Sequence, residues 1–154
     1  TTSIATQAPV ARDLRYLLTL DHVTYELERI GDHASSVAKQ VIKLAPEPPL
    51  DGYVHLQEMA ERAAVLLHGV LRALVESDAV KAREVAAEDD EIDRLYHATF
   101  DRAVELMRED PANVERGTRI VIASHYLERI GDRATNIAED IVYLETGDVE
   151  DLNP

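Results

Sequence analysis

Leu27-Glu28-Arg29-Ile30-Gly31-Asp32 and Leu127-Glu128-Arg129-Ile130-Gly131-Asp132 are the same six letters, set one hundred positions apart in a chain of 154 residues. Each copy places a glutamate and an aspartate four residues apart. On a helix, residues i and i+4 lie one turn apart on one face, so each copy aims two carboxylates in one direction. Like charges at that spacing repel by roughly a few tenths of a kcal/mol. Sheltering them beside an apolar seam without a cation costs far more. Arg29 and Arg129 are neighbours in sequence, but adjacent residues point about 100° apart around a helix, so neither sits squarely between its two acids. A metal ion answers the charge better, because paired carboxylates on one face are how helical bundles hold hard or borderline cations.

A third pair has the same spacing. Ala82, Ala86, Asp89, Asp93, Tyr96 and Phe100 form a helical stripe in which Asp89 and Asp93 interrupt an otherwise apolar face. Glu88 and Glu91, in the same acidic run, read as solvated. If this helix packs antiparallel to the one carrying the second repeat, Asp89, Asp93, Glu128 and Asp132 converge. Such an oxygen set suits Fe, Mn, Mg, Ca or Zn, singly or as more than one ion. An ion-paired seam using the arginines is the competing reading, and the sequence leaves both open. His125, three before Glu128, and His97, four after Asp93, are further candidate ligands. Asn136, four after Asp132, is placed to orient a ligand carboxylate. His22, His33, His55 and His68 read as structural. Gly31 and Gly131 each cost about 1 kcal/mol in mid-helix relative to alanine, and their recurrence points to close approach by a neighbouring helix or an ion cluster.

The elements that must carry these residues are all helical. Pro9 opens a pattern that runs to about Lys43 and is stopped by Ala45-Pro46-Glu47-Pro48-Pro49. A second helix is expected from Gly52 to Glu76, a cap-type break at Ser77-Asp78, a third helix from Ala79 to Glu109, and a fourth from a cap at Asn113 to Glu145, with Gly147 as C-cap. No stretch alternates with period two over a useful length, so no sheet is expected. Leu20, Val23, Leu27, Ile30, Ala34, Val37, Val41 and Leu44 form an apolar seam. Shifted by the repeat, Ile120, Ala123, Leu127, Ile130, Ala134, Ile137, Ile141 and Leu144 form it again. The first and last helices are therefore two copies of one element.

Composition narrows the classes. Few glycines and prolines, abundant Ala, Leu, Val and Glu, and a hydrophobic fraction of 45% describe a helical bundle. The absence of cysteine excludes disulfides and thiolate metal sites, and suits a cytoplasmic location. A net charge of −14 argues against nucleic acid as a direct partner. No apolar run approaches the ~20 residues of a membrane span. There is no Gly-rich phosphate loop, no Ser-His-Asp arrangement and no nucleophile beside a base. The chain begins without methionine, which leaves room for a segment before Thr1, so the lack of a visible signal peptide carries little weight.

The paired repeat, the run Ala5-Thr6-Gln7-Ala8-Pro9-Val10-Ala11-Arg12-Asp13-Leu14-Arg15, and Ala134-Thr135-Asn136-Ile137-Ala138-Glu139-Asp140 together resemble the PhoU family of regulators of phosphate uptake. The resemblance covers essentially the whole chain. It implies two similar three-helix bundles, each with a Glu/Asp-x-x-x-Asp motif that binds iron, zinc or other metals in clusters. Glu28 and Asp32 match the motif of the first bundle, Glu128 and Asp132 that of the second, and Asp89, Asp90 and Asp93 the acidic run on the preceding helix. Residues 1–45 then correspond to the last helix of an incomplete first repeat, 46–51 to a linker, 52–146 to a complete second repeat and 147–154 to a tail. The lone first helix lacks its partner carboxylates, and its seam is expected to be covered by the second bundle or another copy of the chain.

Function is likewise implied by resemblance: a non-enzymatic negative regulator in the cytoplasm that acts on the phosphate ABC transporter ATPase and the phosphate-sensing histidine kinase. A homodimer, associated with the membrane through those partners, goes with it. The alternative is a di-iron carboxylate oxidoreductase or a metal store. Against the oxidoreductase stands the absence of a Glu-x-x-His pair, the nearest approach being the reversed His125-x-x-Glu128.

Overall fold

The computed structural model describes residues 2–153, with side chains from residue 7 onward except at 54. Thr1 and Pro154, the ends of the expected first segment and tail, lie outside the described residues. Five α-helices follow one another: α1 Thr2–Leu44, α2 Tyr53–Glu76, α3 Ala79–Ala86, α4 Asp89–Glu109 and α5 Val114–Thr146, with a 3-10 turn at Pro111–Asn113 before α5. No strand occurs among the described residues.

Several boundaries fall where the caps place them. Ser77 adopts a left-handed conformation that closes α2, and the Asp78 side chain accepts from the Lys81 N–H at 2.9 Å to open α3. Gly147 (φ 78°) ends α5, its N–H donating to the Tyr143 carbonyl. Three boundaries differ from expectation. Pro9 lies inside α1 rather than at its start, and residues 7–14 around it are exposed. Asn113 does not cap α5. Asp110 caps the 3-10 turn through Ala112 N–H, while Asn113 donates to the Leu106 carbonyl and accepts from Arg116. The expected third helix is broken at Ala87-Glu88, where Glu88, Asp90 and Glu91 donate to carbonyls only three residues back. No glycine or proline marks this bend. Its effect is to put Asp89, Asp90 and Glu91 in the first turn of α4, at the positive end of the helix dipole.

The core is built around α5. Ile120, Ala123, Leu127, Ile130, Ala134, Ile137, Ile141 and Leu144 are all buried, as the seam requires, and so are Ser124, Thr135, Ala138 and Val142 on its other sides. Each large aliphatic side chain so placed contributes about 1.5–3 kcal/mol. Helices α1, α2, α3 and α4 all pack on this one helix.

The lone first helix is thus covered on one side by α5. It runs antiparallel to it: His22 meets Asp140, Glu26 meets Arg133, His33 meets Tyr126 and Gln40 meets Arg119. Shifting each number by one hundred turns the Glu26–Arg133 pair into the His33–Tyr126 pair. The two repeated helices therefore cross about a pseudo-two-fold axis near Ile30 and Ile130, with His33 and Arg133 in contact at 2.9 Å. The expected seam of α1 is only half covered. Val23, Ile30 and Leu44 are buried, Leu20, Leu27 and Val37 half-buried, and Ala34 and Val41 exposed. The buried stripe is instead Thr19, Val23, Glu26, Ile30 and His33.

Candidate metal centre

The crossing turns each six-residue repeat away from the other, toward its own side of the molecule. On the α5 side, α4 runs antiparallel and brings its acids to the repeat. One carboxylate oxygen from each of Asp89, Asp93 and Asp132 lies within 4.8 Å of the others. Glu128 joins them electrostatically, raising the pKa of both Asp89 and Asp93. Of the four carboxylates expected to converge, Asp89, Asp93 and Asp132 come together, and Glu128 reaches them through its charge alone. Asp90, also drawn from the acidic run, is exposed and acts on the cluster only through its charge on Asp93.

Asp89 is the deepest member, 2% exposed, and as a carboxylate neither of its oxygens has a hydrogen-bond donor. Asp93 Oδ1 is likewise buried and unpartnered. Burial, then Asp93 and Asp132, push the Asp89 carboxyl up to about 8, where its proton can be shared with Asp132. Burial and the charges of Asp132 and Glu128 push Asp93 up to about 6, against a small opposing effect of His97. Glu128 is raised by burial and by Asp132, with His97 and Arg129 opposing. Gly131 makes this packing possible: a Cβ there would overlap Asp89 Oδ1 and press on Ile92.

Buried carboxylates facing one another, with orphaned oxygens and no guanidinium among them, fit the donor set of a hard or borderline cation. The arginines do not form the competing ion-paired seam here. Arg129 is exposed, and Arg133 points to the opposite side of α5, to Glu26 and His33.

The other candidates fall out differently. Glu28 is exposed, and Asp32 pairs with Arg29 at 3.0 Å in solvent. No carboxylate of another described helix joins them, and a Cβ at Gly31 would meet nothing within 4 Å. The close approach expected at both glycines holds for Gly131 alone. His97 stands beside Asp93 and Glu128 electrostatically, whereas the His125 ring lies against Tyr96 and Tyr126. Asn136 faces α1, donating to Glu26 at 3.4 Å, and not the acidic cluster.

Sequence reasoning missed Glu26. Buried to 3% exposure, it accepts from Arg133 at 3.1 Å and stands 3.5 Å from His22, whose other ring nitrogen is 2.6 Å from Asp140. The signal was available: Glu26 sits three after Val23 and four before Ile30, on the seam itself. The C-terminal segment was also missed. Asn153 Nδ2 donates to Asp132 Oδ1 at 3.1 Å.

Fold and site together define an all-α bundle built on two copies of one helix, with a half-sheltered carboxylate cluster beside the second copy. Comparison with known proteins narrows it. The PhoU domain matches residues 1–41 and 56–141, and the chain belongs to the PhoU family. It is 40% identical over 151 residues to a phosphate-specific transport system accessory protein PhoU homolog of Clostridium acetobutylicum, covering 97% of this chain and 69% of that one. A homolog of the same name from Streptococcus pneumoniae is 33% identical over 97% of this chain and 69% of its own. Among solved structures, PhoU from Pseudomonas aeruginosa superposes with a TM-score of 0.85 at 38% identity, covering 90% of this chain and 66% of that one. The phosphate transport system regulatory protein PhoU from S. pneumoniae superposes at 0.82 and 32% identity, over 91% of this chain and 66% of its own. The chain thus spans about two thirds of the length of the relatives it matches.

Proposed function

We propose that this chain is the regulatory accessory component of a phosphate-uptake system, working in the cytoplasm as a negative regulator, and that a metal ion bound by Asp89, Asp93, Asp132 and Glu128 is part of its working form. The observation that carries the metal reading is Asp89: a fully buried carboxyl with two unpartnered oxygens, set among the carboxylates of Asp93 and Asp132. A divalent ion there supplies the positive charge that the described residues do not. Iron or zinc is the first choice, with Mg, Mn or Ca also compatible with an oxygen set. The names of the relatives support the transport role.

Glu28 and Asp32 are then half of a second site. The pseudo-two-fold axis makes them the counterparts of Glu128 and Asp132, and the missing half would be an acidic helix related to α4. The face of α1 that would receive it is apolar and small: Gly31, Ala34, Ala38 and Ile42 are exposed, whereas Gly131, Ala134, Ala138 and Val142 at the equivalent positions are buried. Residues 1–45 read as the last helix of one repeat and 52–146 as a complete second repeat. The partners are the phosphate ABC transporter ATPase and the phosphate-sensing histidine kinase, and the assembly is a homodimer brought to the membrane by them. No helix among the described residues is long and apolar enough to cross a membrane itself. The test is co-purification of the full-length protein with the transporter ATPase and with the sensor region of the kinase. Binding to either supports the reading, and failure to bind both sinks it.

A further inference from the structure

The segment after α5 does not leave the molecule. Gly147 turns it, in the left-handed region that glycine adopts without strain, and it runs back along α5 toward the acidic cluster. Three anchors hold it. Glu150 receives a bidentate pair from Arg83 on α3, at 2.7 and 3.1 Å. Leu152 packs against the hydrophobic core. Asn153 donates its side-chain amide to Asp132 Oδ1 at 3.1 Å, its backbone N–H being satisfied by the Asp151 side chain at 3.0 Å.

The last anchor falls on a carboxylate of the cluster. Asp132 is one of the three aspartates whose oxygens converge, and it supplies the rim of a site whose floor is the buried, unpartnered Asp89. A carboxylate offers about four lone-pair sites, so the conflict is one of charge and aim: a cation held by Asp132 would repel the amide hydrogens that now point at Oδ1. We propose that residues Asp148–Asn153 form a strap that competes with the metal ion for Asp132, so that cation binding releases the strap and a docked strap weakens cation binding. The proposal rests on the metal reading of the cluster. It makes the tail a metal-controlled surface element, tethered to α5 and α3 through Glu150, Leu152 and Asn153 in one state and free to meet a partner in the other. Because the coupling is thermodynamic, it must be reciprocal: what the strap costs the ion, the ion costs the strap.

The experiment uses the 154-residue chain, its Asn153→Ala variant and Zn2+ alone as the probe. Asn153 is exposed, so its truncation leaves the core intact. Zinc affinity is read by competition with a chelator, and strap docking by hydrogen exchange of the amides of residues 148–153. Removing one hydrogen bond to a charged group should tighten zinc binding about three- to tenfold. Zinc should speed exchange of the strap in the unaltered chain, and Asn153→Ala should exchange fast with or without it. Glu150→Gln, which weakens the Arg83 anchor, should move both readouts in the same direction. Weaker zinc binding by Asn153→Ala, slower strap exchange with zinc, or no effect of zinc on the strap each overturns the proposal. If zinc binds and is lost in Asp89→Ala with Asp93→Ala while the strap stays indifferent, only the strap fails. If zinc binds none of these chains, the metal reading fails with it.

Discussion

Asp89 shows how one side chain can cost a fold stability and still be kept. Its pKa is raised, so the sign runs opposite to that of an ion-paired aspartate. Below about pH 4, near the value of an unfolded aspartate, the group is protonated in both states and costs nothing. As pH rises toward about 8, the value in the folded protein, the unfolded chain releases a proton that the folded one retains, and stability is lost. Asp89→Asn keeps the shape and can donate to Asp132 without charge. In chelator-treated protein this variant should match the unaltered chain near pH 4 and exceed it by on the order of a few kcal/mol at pH 8, read as denaturant midpoints across that range. The same substitution should weaken metal binding. A variant that destabilises at pH 8 would show that Asp89 is not held against its charge. Gly131 belongs to the same account. Glycine is tolerated at Gly31 because nothing is near, and required at Gly131 because Asp89 Oδ1 occupies the space of a Cβ.

At the scale of elements, the crossing of α1 and α5 is the joint that sets where both acidic pairs point. It is held by a buried polar set, Glu26, His33, Arg133 and Asn136, within an apolar seam. Arg133→Ala leaves Glu26 buried without its guanidinium and should cost about 3–5 kcal/mol, whereas Glu26→Leu combined with Arg133→Leu should be close to neutral. Urea unfolding of the two variants checks this; equal losses would mean that packing rather than charge decides the joint. Much of this level was legible in the sequence. The shared seam of Ile120 to Leu144 announced a helix buried along one stripe, and the i, i+4 spacing of Asp89 and Asp93 turns both toward Asp132 once the helices run antiparallel. The break at Ala87-Glu88 was not legible, because it is made by tightened hydrogen bonds in residues with good helix propensity. Nor was the turning of Asn136 toward Glu26, since spacing along one helix does not say which neighbour occupies which side. Pro9 misled for a related reason: a proline weakens a helix without always ending it.

At the scale of the whole molecule, the chain is asymmetric where its sequence is nearly symmetric. α5 packs against α1, α2, α3 and α4, whereas α1, its repeat, packs chiefly against α5. Ile42 is 71% exposed while Val142, its counterpart, is fully buried. Ile42→Glu should therefore change the stability of this chain by less than about 0.5 kcal/mol, and Val142→Glu should cost several, by thermal unfolding. In a longer protein carrying helices over α1, the first substitution should become as damaging as the second. The central claim is that the two identical repeats differ in chemistry because only the second has its acidic partner helix. Metal analysis of the 154-residue chain after loading with zinc or iron tests it most directly. Bound metal should be lost when Glu128→Ala is combined with Asp132→Ala and kept when Glu28→Ala is combined with Asp32→Ala; metal that survives the first pair of substitutions would contradict the account.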